Sequence, residues 1–302
     1  MEPIKIAVLG FGHIGSYAAR AVQLAPDMRL VGVIELEDRL ALVQKAVPDI
    51  PVATRVENLP EKPDAAILAV PSRKMEAIAP ELLNQGIATV DCFDMHGDPF
   101  THLKSVLDPA AQEGKVAAVM GSGVDPGIST MIRALFEIWA PTGLTYVNYG
   151  PGMSMGHTVC AKSYPGVRDA LSITRPGAPG CHQRDLYLEI EPGANFETVR
   201  DQILADPYFC NDQVRVFQVE DVTPLIDMGH RIFVQRKGGA SGVDNQLLQF
   251  ETTFHNPAST AQVLVASARA ATRLSPGAHT MLEIPLTYFL AEPLDSLMKR
   301  LV

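Results

Sequence analysis

The sequence predicts an α/β fold in which a doubly wound parallel sheet is followed by a second, α+β domain with a mostly antiparallel sheet. Three observations support this prediction. Short apolar segments alternate with helical patterns over the first 120 residues, a glycine-rich turn separates the first strand from the first helix, and strand-like segments dominate the rest. Strands alternating with helices are typical of parallel sheets, whereas successive strands favour antiparallel pairing.

The elements of the first part follow from apolar spacing. Ile4–Leu9 is a short apolar run of the kind that forms a buried parallel strand, and helical spacing follows until Pro26 ends it. A second helix is expected over residues 73–85, where Gly86 provides a C-terminal cap. Further strands are predicted at residues 30–34, 65–70, 87–90 and 116–120.

The second part begins with a helix that we expect to start at Pro126 and to end at Trp139. Two more helices are predicted at about 196–205 and 259–274. The segment 149–158, YGPGMSMGHT, contains three glycines and is predicted to be a loop that approaches a ligand closely. Strands are predicted at residues 144–149, 187–191, 214–219, 231–236 and 247–254.

The glycine-rich turn has the spacing G-x-G-x-x-G between a predicted strand and a predicted helix. In that context Gly10 permits a tight turn, Gly12 admits pyrophosphate, and Gly15 allows the helix to pack closely on the strand. The alternative is a turn that binds no ligand. The pattern predicts a Rossmann unit for a nicotinamide dinucleotide. Its predicted cofactor contacts are Gly10, Phe11, Gly12, His13, Ile14 and Gly15, with Val70, Pro71 and Ser72 at the end of a later strand.

Glu35 ends the second strand, twenty positions after Gly15, where an acidic side chain accepts hydrogen bonds from the adenosine ribose. With Leu36 it belongs to an acidic corner that would repel a 2′-phosphate, so NAD is predicted as the preferred cofactor. NADP is retained as a second cofactor, because Arg39 and Arg73 are candidate phosphate ligands. The alternative for Glu35 is a solvated acidic loop.

Two acidic residues follow later strand ends, Asp94 in VDCFDMHGD and Asp125 in GSGVDPG. Ligands of open α/β sheets bind beyond the carboxyl ends of the strands, so both are candidate site residues. Asp94 could instead be a turn residue, and Asp125 could be an N-cap with Pro126 at the first helical position. His157 is a third candidate because histidine titrates near neutral pH, with a structural role as its alternative.

Bulk composition excludes several classes of partner. A net charge of −9 argues against nucleic acid and anionic membranes, and no apolar run approaches the roughly 18 residues that a membrane span needs. No secretory leader is recognised at the N-terminus. The four cysteines have no C-x-x-C spacing, which predicts reduced thiols in a cytoplasmic protein.

Several motifs together resemble meso-diaminopimelate dehydrogenases, especially their thermophile-type branch, over essentially the whole chain. They are GFGHIG at 10–15, VDCFDMHG at 90–97, DPG at 125–127, GPGMSMGH at 150–157, PGVRDALS at 165–172 and HNPASTAQV at 255–263. The resemblance implies reversible conversion of the D-centre of meso-diaminopimelate to a keto acid, with release of ammonia and reduction of a nicotinamide cofactor. It implies no metal, since the cofactor carries the hydride.

The resemblance also implies roles for individual residues. Asp94 and Asp125 would hold the reacting ammonium group, and His157 is the candidate base that activates water. Arg184 suits bidentate binding of a carboxylate, its alternative being a surface position on a strand edge. The implied substrate contacts are Tyr149, Met155 and Gly156 near the reacting carbon, and Thr174, Arg184, His230 and Asn256 at the distal L-centre.

Two departures from the family pattern bear on cofactor and substrate. The family usually has arginine after the second strand, where this chain has Glu35, and tryptophan before the DPG aspartate, where it has Val124. The smaller Val124 enlarges the predicted substrate pocket, so related D-amino acids and 2-keto acids are candidate substrates. Rival functions are another Rossmann oxidoreductase, of the imine or polyol reductase type, and a catalytically idle NAD-binding sensor.

The predicted organisation is therefore a dinucleotide-binding domain over residues 1–122 and a substrate-binding and dimerisation domain over residues 123–256. The helical region at about 257–302 is a candidate to pack back on the first domain. The expected partners are an amino acid or keto acid and ammonia, and a homo-oligomer is expected.

Overall fold

The computed structural model describes residues 2–177 and 183–302. The chain forms two compact units. Unit 1 comprises the residues up to Thr130 together with Pro257–Val302, and unit 2 comprises Met131–Asn256. The predicted domain boundary at residue 122 stays a prediction. Of the predicted reduced thiols, Cys92 and Cys210 are free cysteines, Cys160 is buried, and Cys181 lies outside the described residues.

Strands and helices alternate along most of the chain before residue 140. In chain order they are β1 (Ile4–Leu9), α1 (His13–Leu24), β2 (Met28–Ile34), α2 (Leu40–Ala46), β3 (Val52–Ala53), β4 (Ala65–Leu68), α3 (Met75–Asn84), β5 (Ala88–Asp91), α4 (Asp98–Gly114), β6 (Ala117–Met120) and α5 (Ile128–Trp139). Strands are more frequent after residue 140, where the elements are β7 (Thr142–Tyr149), β8 (Gly152–Met153), α6 (Met155–Lys162), β9 (Val167–Arg175), β10 (Gln183–Ile190), α7 (Phe196–Leu204), β11 (Gln213–Gln218), β12 (Gly229–Ala240), β13 (Val243–His255), α8 (Asn256–Ala271), β14 (Gly277–Thr280) and α9 (Leu294–Leu301).

Unit 1 contains the doubly wound sheet. Its described residues form a seven-stranded sheet in the order β14-β6-β5-β4-β1-β2-β3, and every pair of neighbours is parallel. The central strands are almost fully buried because helices cover both faces, and this is why their sequences are continuously apolar. The chain reverses direction in the sheet order between β1 and β4, so the ends of these strands flank the crevice where such sheets bind ligands.

Unit 2 contains two smaller sheets within the described residues. One has the order β11-β10-β9-β8 and is antiparallel except for the parallel pair β10–β11, whereas β13, β12 and β7 form an antiparallel sheet. Leu186 of β10 and Ala170 of β9 pack with Val199, Ile203 and Phe209 in a buried core under α7. This mixed architecture confirms the predicted α+β class with mostly antiparallel pairing.

Several predicted elements need correction. The helix expected at Pro126 begins at Ile128, because residues 124–126 form a turn and Gly127 pairs with Gly123 in an isolated β-bridge. Asp125 is therefore not an N-cap followed by proline at the first helical position. The predicted glycine loop is wrong from Gly152 onward, because β8 begins there. Helix α6 follows, and His157 lies in its first turn.

Some elements were absent from the prediction, chiefly α4 and β9. Helix α4 carries prolines at positions 99 and 109, which disguise a helical segment because proline usually interrupts one. In the described part of the chain, no helix is long and apolar enough to cross a membrane.

Candidate cofactor-binding and substrate-binding residues

The glycine turn between β1 and α1 depends on two glycines for its shape. Gly10 has a φ of +84°, which favours glycine, and a Cβ at Gly15 would lie 1.9 Å from the carbonyl oxygen of Gly10. A Cβ at Gly12, in contrast, would meet no atom within 4 Å among the described residues. The turn is thus closed beneath Gly15 and open above Gly12, which is the side from which a pyrophosphate would approach.

The N-terminus of α1 adds an electrostatic component to this turn. Gly12 is the N-cap, the first helical turn has no acidic residue, and no described side chain caps the helix. Its first backbone N–H groups and the positive end of its dipole therefore favour an anionic group. The residues present fit the pyrophosphate of a dinucleotide.

Glu35 lies immediately after β2 and is 9% exposed, so its interpretation as a solvated loop residue is wrong. Its Oε1 accepts a hydrogen bond from the backbone N–H of Phe11 at 3.1 Å, and its Oε2 accepts one from that of Leu36 at 2.7 Å. Arg39 forms an ion pair with Glu35, in which Nη1 lies 3.1 Å from Oε1. Glu35 therefore connects the end of β2 to the glycine turn, and Arg39 is the nearby cation.

The end of β4 connects predicted cofactor contacts to a predicted catalytic carboxylate. Val70 and Pro71 follow the strand, and Ser72 begins a short 3₁₀ helix. The Ser72 hydroxyl donates to Asp94 Oδ1 at 2.6 Å and accepts from the Asp94 backbone N–H at 3.3 Å. Asp94 is thus fixed by a side-chain contact between two strand ends, which is more than a turn residue requires.

Asp125 lies in the turn between β6 and α5. Its Oδ1 accepts a short hydrogen bond from the Ser129 hydroxyl, and its Oδ2 lies 3.7 Å from His96 Nε2. Val124, half-buried beside it, accepts a hydrogen bond through its carbonyl from the Ser129 backbone N–H at 2.8 Å. Ser129 therefore holds both the turn and the carboxylate.

Asp91, the last residue of β5, was not among the predicted site residues. It is fully buried, and its Oδ1 accepts from the backbone N–H groups of Phe93 at 2.9 Å and Gly121 at 3.0 Å. Asp91 therefore connects the segment at Phe93, just before Asp94, to the segment at Gly121, which leads to Asp125. Burial raises the pKa of Asp91 to about 6, and its Oδ2 has no hydrogen-bond partner in the described structure. The sequence signal that could have indicated Asp91 is its position as an acidic residue at the end of a predicted strand.

The neighbouring Cys92 shares this environment. Burial raises the pKa of its thiol, and the negative charges of Asp91 and Asp94 raise it further. A thiol whose pKa is raised in this way stays protonated and is a poor nucleophile.

Arg184 lies in β10, which is an interior strand between β9 and β11, and is 5% exposed. Its interpretation as a surface residue on a strand edge is wrong. Its Nη1 donates to the Thr174 hydroxyl at 2.9 Å, and its Nε donates a short hydrogen bond to Asp212 Oδ2. The structure thus brings two predicted substrate contacts, Arg184 and Thr174, together. Asp212 joins them and was not predicted, because it lies 28 residues from Arg184 in the sequence.

His157 belongs to the same group of side chains. Its Nδ1 is 2.9 Å from the Ser154 hydroxyl, and its Nε2 is 3.7 Å from Asp212 Oδ2. The rings of Tyr208 and Phe209 contact the imidazole edge-on, each at a centroid distance of 5.2 Å. His157 is therefore held in a defined orientation within unit 2.

The remaining predicted substrate contacts of unit 2 lie around β8 and β12. Asn256 donates through Nδ2 to the Met153 carbonyl at 3.0 Å. Helix α6 begins two residues later at Met155, and Gly156 is its second residue. The His230 ring stacks on Phe254 at 5.8 Å, and Tyr149 ends β7. These residues lie on four different elements, β7, α6, β12 and α8. Among the described residues, no group of three or more His, Cys, Asp or Glu side chains is arranged to hold a metal ion.

The fold and the glycine turn define a Rossmann-type dinucleotide-binding protein with a second, α+β unit. The CoA binding domain family matches residues 1–96, which contain the glycine turn and β1–β5. A meso-diaminopimelate D-dehydrogenase of Bacteroides fragilis is 42% identical over 95% of this chain and 95% of its own length. The corresponding enzyme of Lysinibacillus sphaericus is 30% identical over 94% of this chain and 95% of its own.

A solved structure gives the same result. The diaminopimelate dehydrogenase of Corynebacterium glutamicum, in complex with diaminopimelate, matches with a TM-score of 0.83 and 26% identity over the whole of both chains. The chain therefore belongs to the meso-diaminopimelate dehydrogenase family. This confirms the predicted family and the predicted enzyme class, an oxidoreductase that uses a nicotinamide cofactor. The branch of the family stays a prediction.

Proposed function

We propose that the protein catalyses the reversible, NAD(P)-dependent oxidative deamination of the D-centre of meso-2,6-diaminopimelate or of a related D-amino acid. The observation that carries this proposal is the 42% identity to the Bacteroides fragilis enzyme over 95% of both chains. In the forward direction the α-carbon loses hydride, the resulting imine takes up water, and ammonia leaves to give the 2-keto acid. The reverse reaction is reductive amination.

Asp94 and Asp125 are assigned to the reacting ammonium group. Two carboxylates bind the cation of the ground state and stabilise the positive charge that stays on nitrogen when hydride leaves the α-carbon. Ser72 and Ser129 support this role, because each donates a hydroxyl hydrogen bond to one of the two carboxylates. A bound nicotinamide would supply the hydride acceptor.

The second carboxylate of the substrate is assigned to unit 2. Arg184 offers a charged, planar set of N–H donors, and Thr174 is already bonded to it at 2.9 Å. His230 and Asn256 are the further proposed contacts, and Tyr149, Met155 and Gly156 are assigned to the region of the reacting carbon. His157 is proposed to accept a proton from the attacking water, since imidazole does this near neutral pH.

NAD is proposed as the preferred cofactor. The support is the buried Glu35 at the end of β2, hydrogen-bonded to the turn that would face the dinucleotide. NADP is proposed as a second cofactor, because Arg39 carries a positive charge at the same corner.

A homo-oligomer is also proposed. The support is a set of large apolar side chains that stay exposed in unit 2, where association would remove them from water. They are Leu135, Ile138, Trp139, Leu144, Val243 and Leu247.

The proposal is tested by following reduced nicotinamide with NAD and with NADP on meso-, LL- and DD-diaminopimelate and on a panel of D- and L-amino acids. We expect turnover of substrates that have a D-centre and none of the LL isomer. Binding of NAD without turnover of any amino acid would instead support the idle sensor.

A further inference from the structure

We infer that Asp212 is a positioning residue for recognition of the substrate's distal carboxylate, acting through the guanidinium of Arg184. The inference rests on the proposed function, because it takes Arg184 as the group that binds that carboxylate. Asp212 lies just before β11, and β11 pairs in parallel with β10, which carries Arg184. The strand pairing therefore brings the carboxylate beside the guanidinium.

The contacts fix the guanidinium at two points. Nε donates to Asp212 Oδ2. Nη1 donates, at 2.9 Å, to the hydroxyl of Thr174, which belongs to the neighbouring strand β9. The guanidinium is planar, so two bonds from different nitrogens determine the plane in which its other N–H groups point. A fixed plane matters because a carboxylate is recognised best by two parallel N–H donors.

Asp212 also connects Arg184 to His157. The same oxygen, Oδ2, that accepts from Arg184 lies 3.7 Å from His157 Nε2, and Ser154 holds the other ring nitrogen at 2.9 Å. Asp212 is only 12% exposed in its side chain, as is fitting for an anion that balances a buried guanidinium. Asp212 is thus hydrogen-bonded to the proposed substrate ligand and lies near the proposed base, whose ring is held by Ser154.

The roles of the two units make the consequence specific. Removing the charge of Asp212 loosens the orientation of Arg184, so affinity for a distal carboxylate falls. The step at the reacting carbon depends on Asp94 and Asp125, which belong to unit 1, so its rate is much less affected. The variant should raise KM for diaminopimelate with a small change in kcat.

The experiment compares Asp212→Asn, Asp212→Glu and Asp185→Asn with the wild-type enzyme. Asp185 is the matched control, since it is buried in the same strand as Arg184 and pairs with Arg215 at 2.6 Å. We expect Asp212→Asn to raise KM for meso-diaminopimelate about tenfold, because it removes one charge-assisted hydrogen bond. Its kcat should stay within about twofold of the wild-type value. Asp212→Glu should recover part of the affinity, and Asp185→Asn should leave KM within about twofold.

A double-mutant cycle tests whether Asp212 acts through Arg184. With Arg184→Met in place, adding Asp212→Asn should change KM by less than about twofold, because there is no guanidinium left to orient. An unchanged KM in Asp212→Asn, or an equally large effect in the Arg184→Met background, contradicts the inference. Failure of the wild-type enzyme to turn over any D-centre would instead reject the proposed function, so the two failures are distinguishable.

Discussion

The two units hold their acidic side chains in different ways. In unit 1, Asp94 and Asp125 accept hydrogen bonds from the hydroxyls of Ser72 and Ser129. In unit 2, Asp212 is bonded to the guanidinium of Arg184, and both side chains are nearly buried. A hydroxyl orients a carboxylate as a neutral donor, whereas a guanidinium orients it and also balances its charge.

This difference corresponds to the two ends of the proposed substrate. A carboxylate that is oriented by a hydroxyl is suited to bind an ammonium group, and a guanidinium that is oriented by its own counter-ion is suited to bind a carboxylate. Unit 1 is therefore the better candidate for the reacting amine, and unit 2 for the distal acid group. The following predictions test that assignment, beginning with the largest expected effect.

Replacing either carboxylate of unit 1 should have the largest effect on catalysis. We expect Asp94→Asn and Asp125→Asn each to lower kcat roughly 10²- to 10³-fold, as loss of a group that stabilises transition-state charge does. The measurement is reduced nicotinamide formed from meso-diaminopimelate. The control is Asp49→Asn, an exposed acidic residue of unit 1. Variants that keep more than about a tenth of the wild-type kcat would contradict the assigned role.

Asp91 provides a contrast within unit 1, because its carboxyl is bound by backbone N–H groups and is fully buried. Its folded-state pKa of about 6 exceeds the ordinary 3.8, so folding favours the protonated form. Its contribution to stability is therefore fully present below about pH 4 and is lost as pH rises through 6. The loss is roughly 3 kcal/mol in the free energy of unfolding.

Urea denaturation of the wild-type protein and of Asp91→Asn between pH 4 and 7.5 measures this effect. The wild type should lose stability relative to the variant as pH rises, because asparagine does not titrate. A difference that stays constant with pH would mean that Asp91 does not titrate in this range.

Arg39 should affect the choice of cofactor. We expect Arg39→Ala to lower kcat/KM for NADP about tenfold relative to NAD, since the side chain carries the positive charge nearest Glu35 in the described structure. Steady-state kinetics with both cofactors gives the ratio. Arg55→Ala, an exposed arginine elsewhere in unit 1, is the control. Equal changes for the two cofactors would count against a role in selectivity.

Val124 should produce the smallest effect. Val124→Trp fills space beside Asp125, so it should lower kcat/KM several-fold for bulky D-amino acids and change that for meso-diaminopimelate less. A substrate panel with Val124→Ala as the control measures this. A uniform loss over all substrates would indicate a general disturbance of the turn that Ser129 holds.

The sequence predicted what depends on local pattern. The strand Ile4–Leu9, the glycine turn and Glu35 lie within 32 residues, and each is recognised from its neighbours along the chain. Asp94 and Asp125 were found because strand ends indicate the ligand-binding edge of a parallel sheet. These signals need no knowledge of which side chains meet in three dimensions.

The contacts of unit 2 could not be predicted in the same way. Arg184, Thr174 and Asp212 meet because β10 pairs with β9 on one side and β11 on the other, and β9 was not predicted. The glycines around His157 predict a loop, although α6 begins at Met155. Strand pairing joins residues that are distant in sequence, and no local pattern shows which ones.

The most direct test of the assignment compares Asp125→Asn and Arg184→Met on meso-diaminopimelate and on D-norleucine, which has a D-centre and no distal carboxylate. We predict that Asp125→Asn lowers kcat/KM by a similar factor for both substrates, because both react at the same kind of centre. Arg184→Met should lower kcat/KM for diaminopimelate and leave that for D-norleucine unchanged or raised. If the two variants show the same loss on both substrates, the division of roles between the two units is wrong.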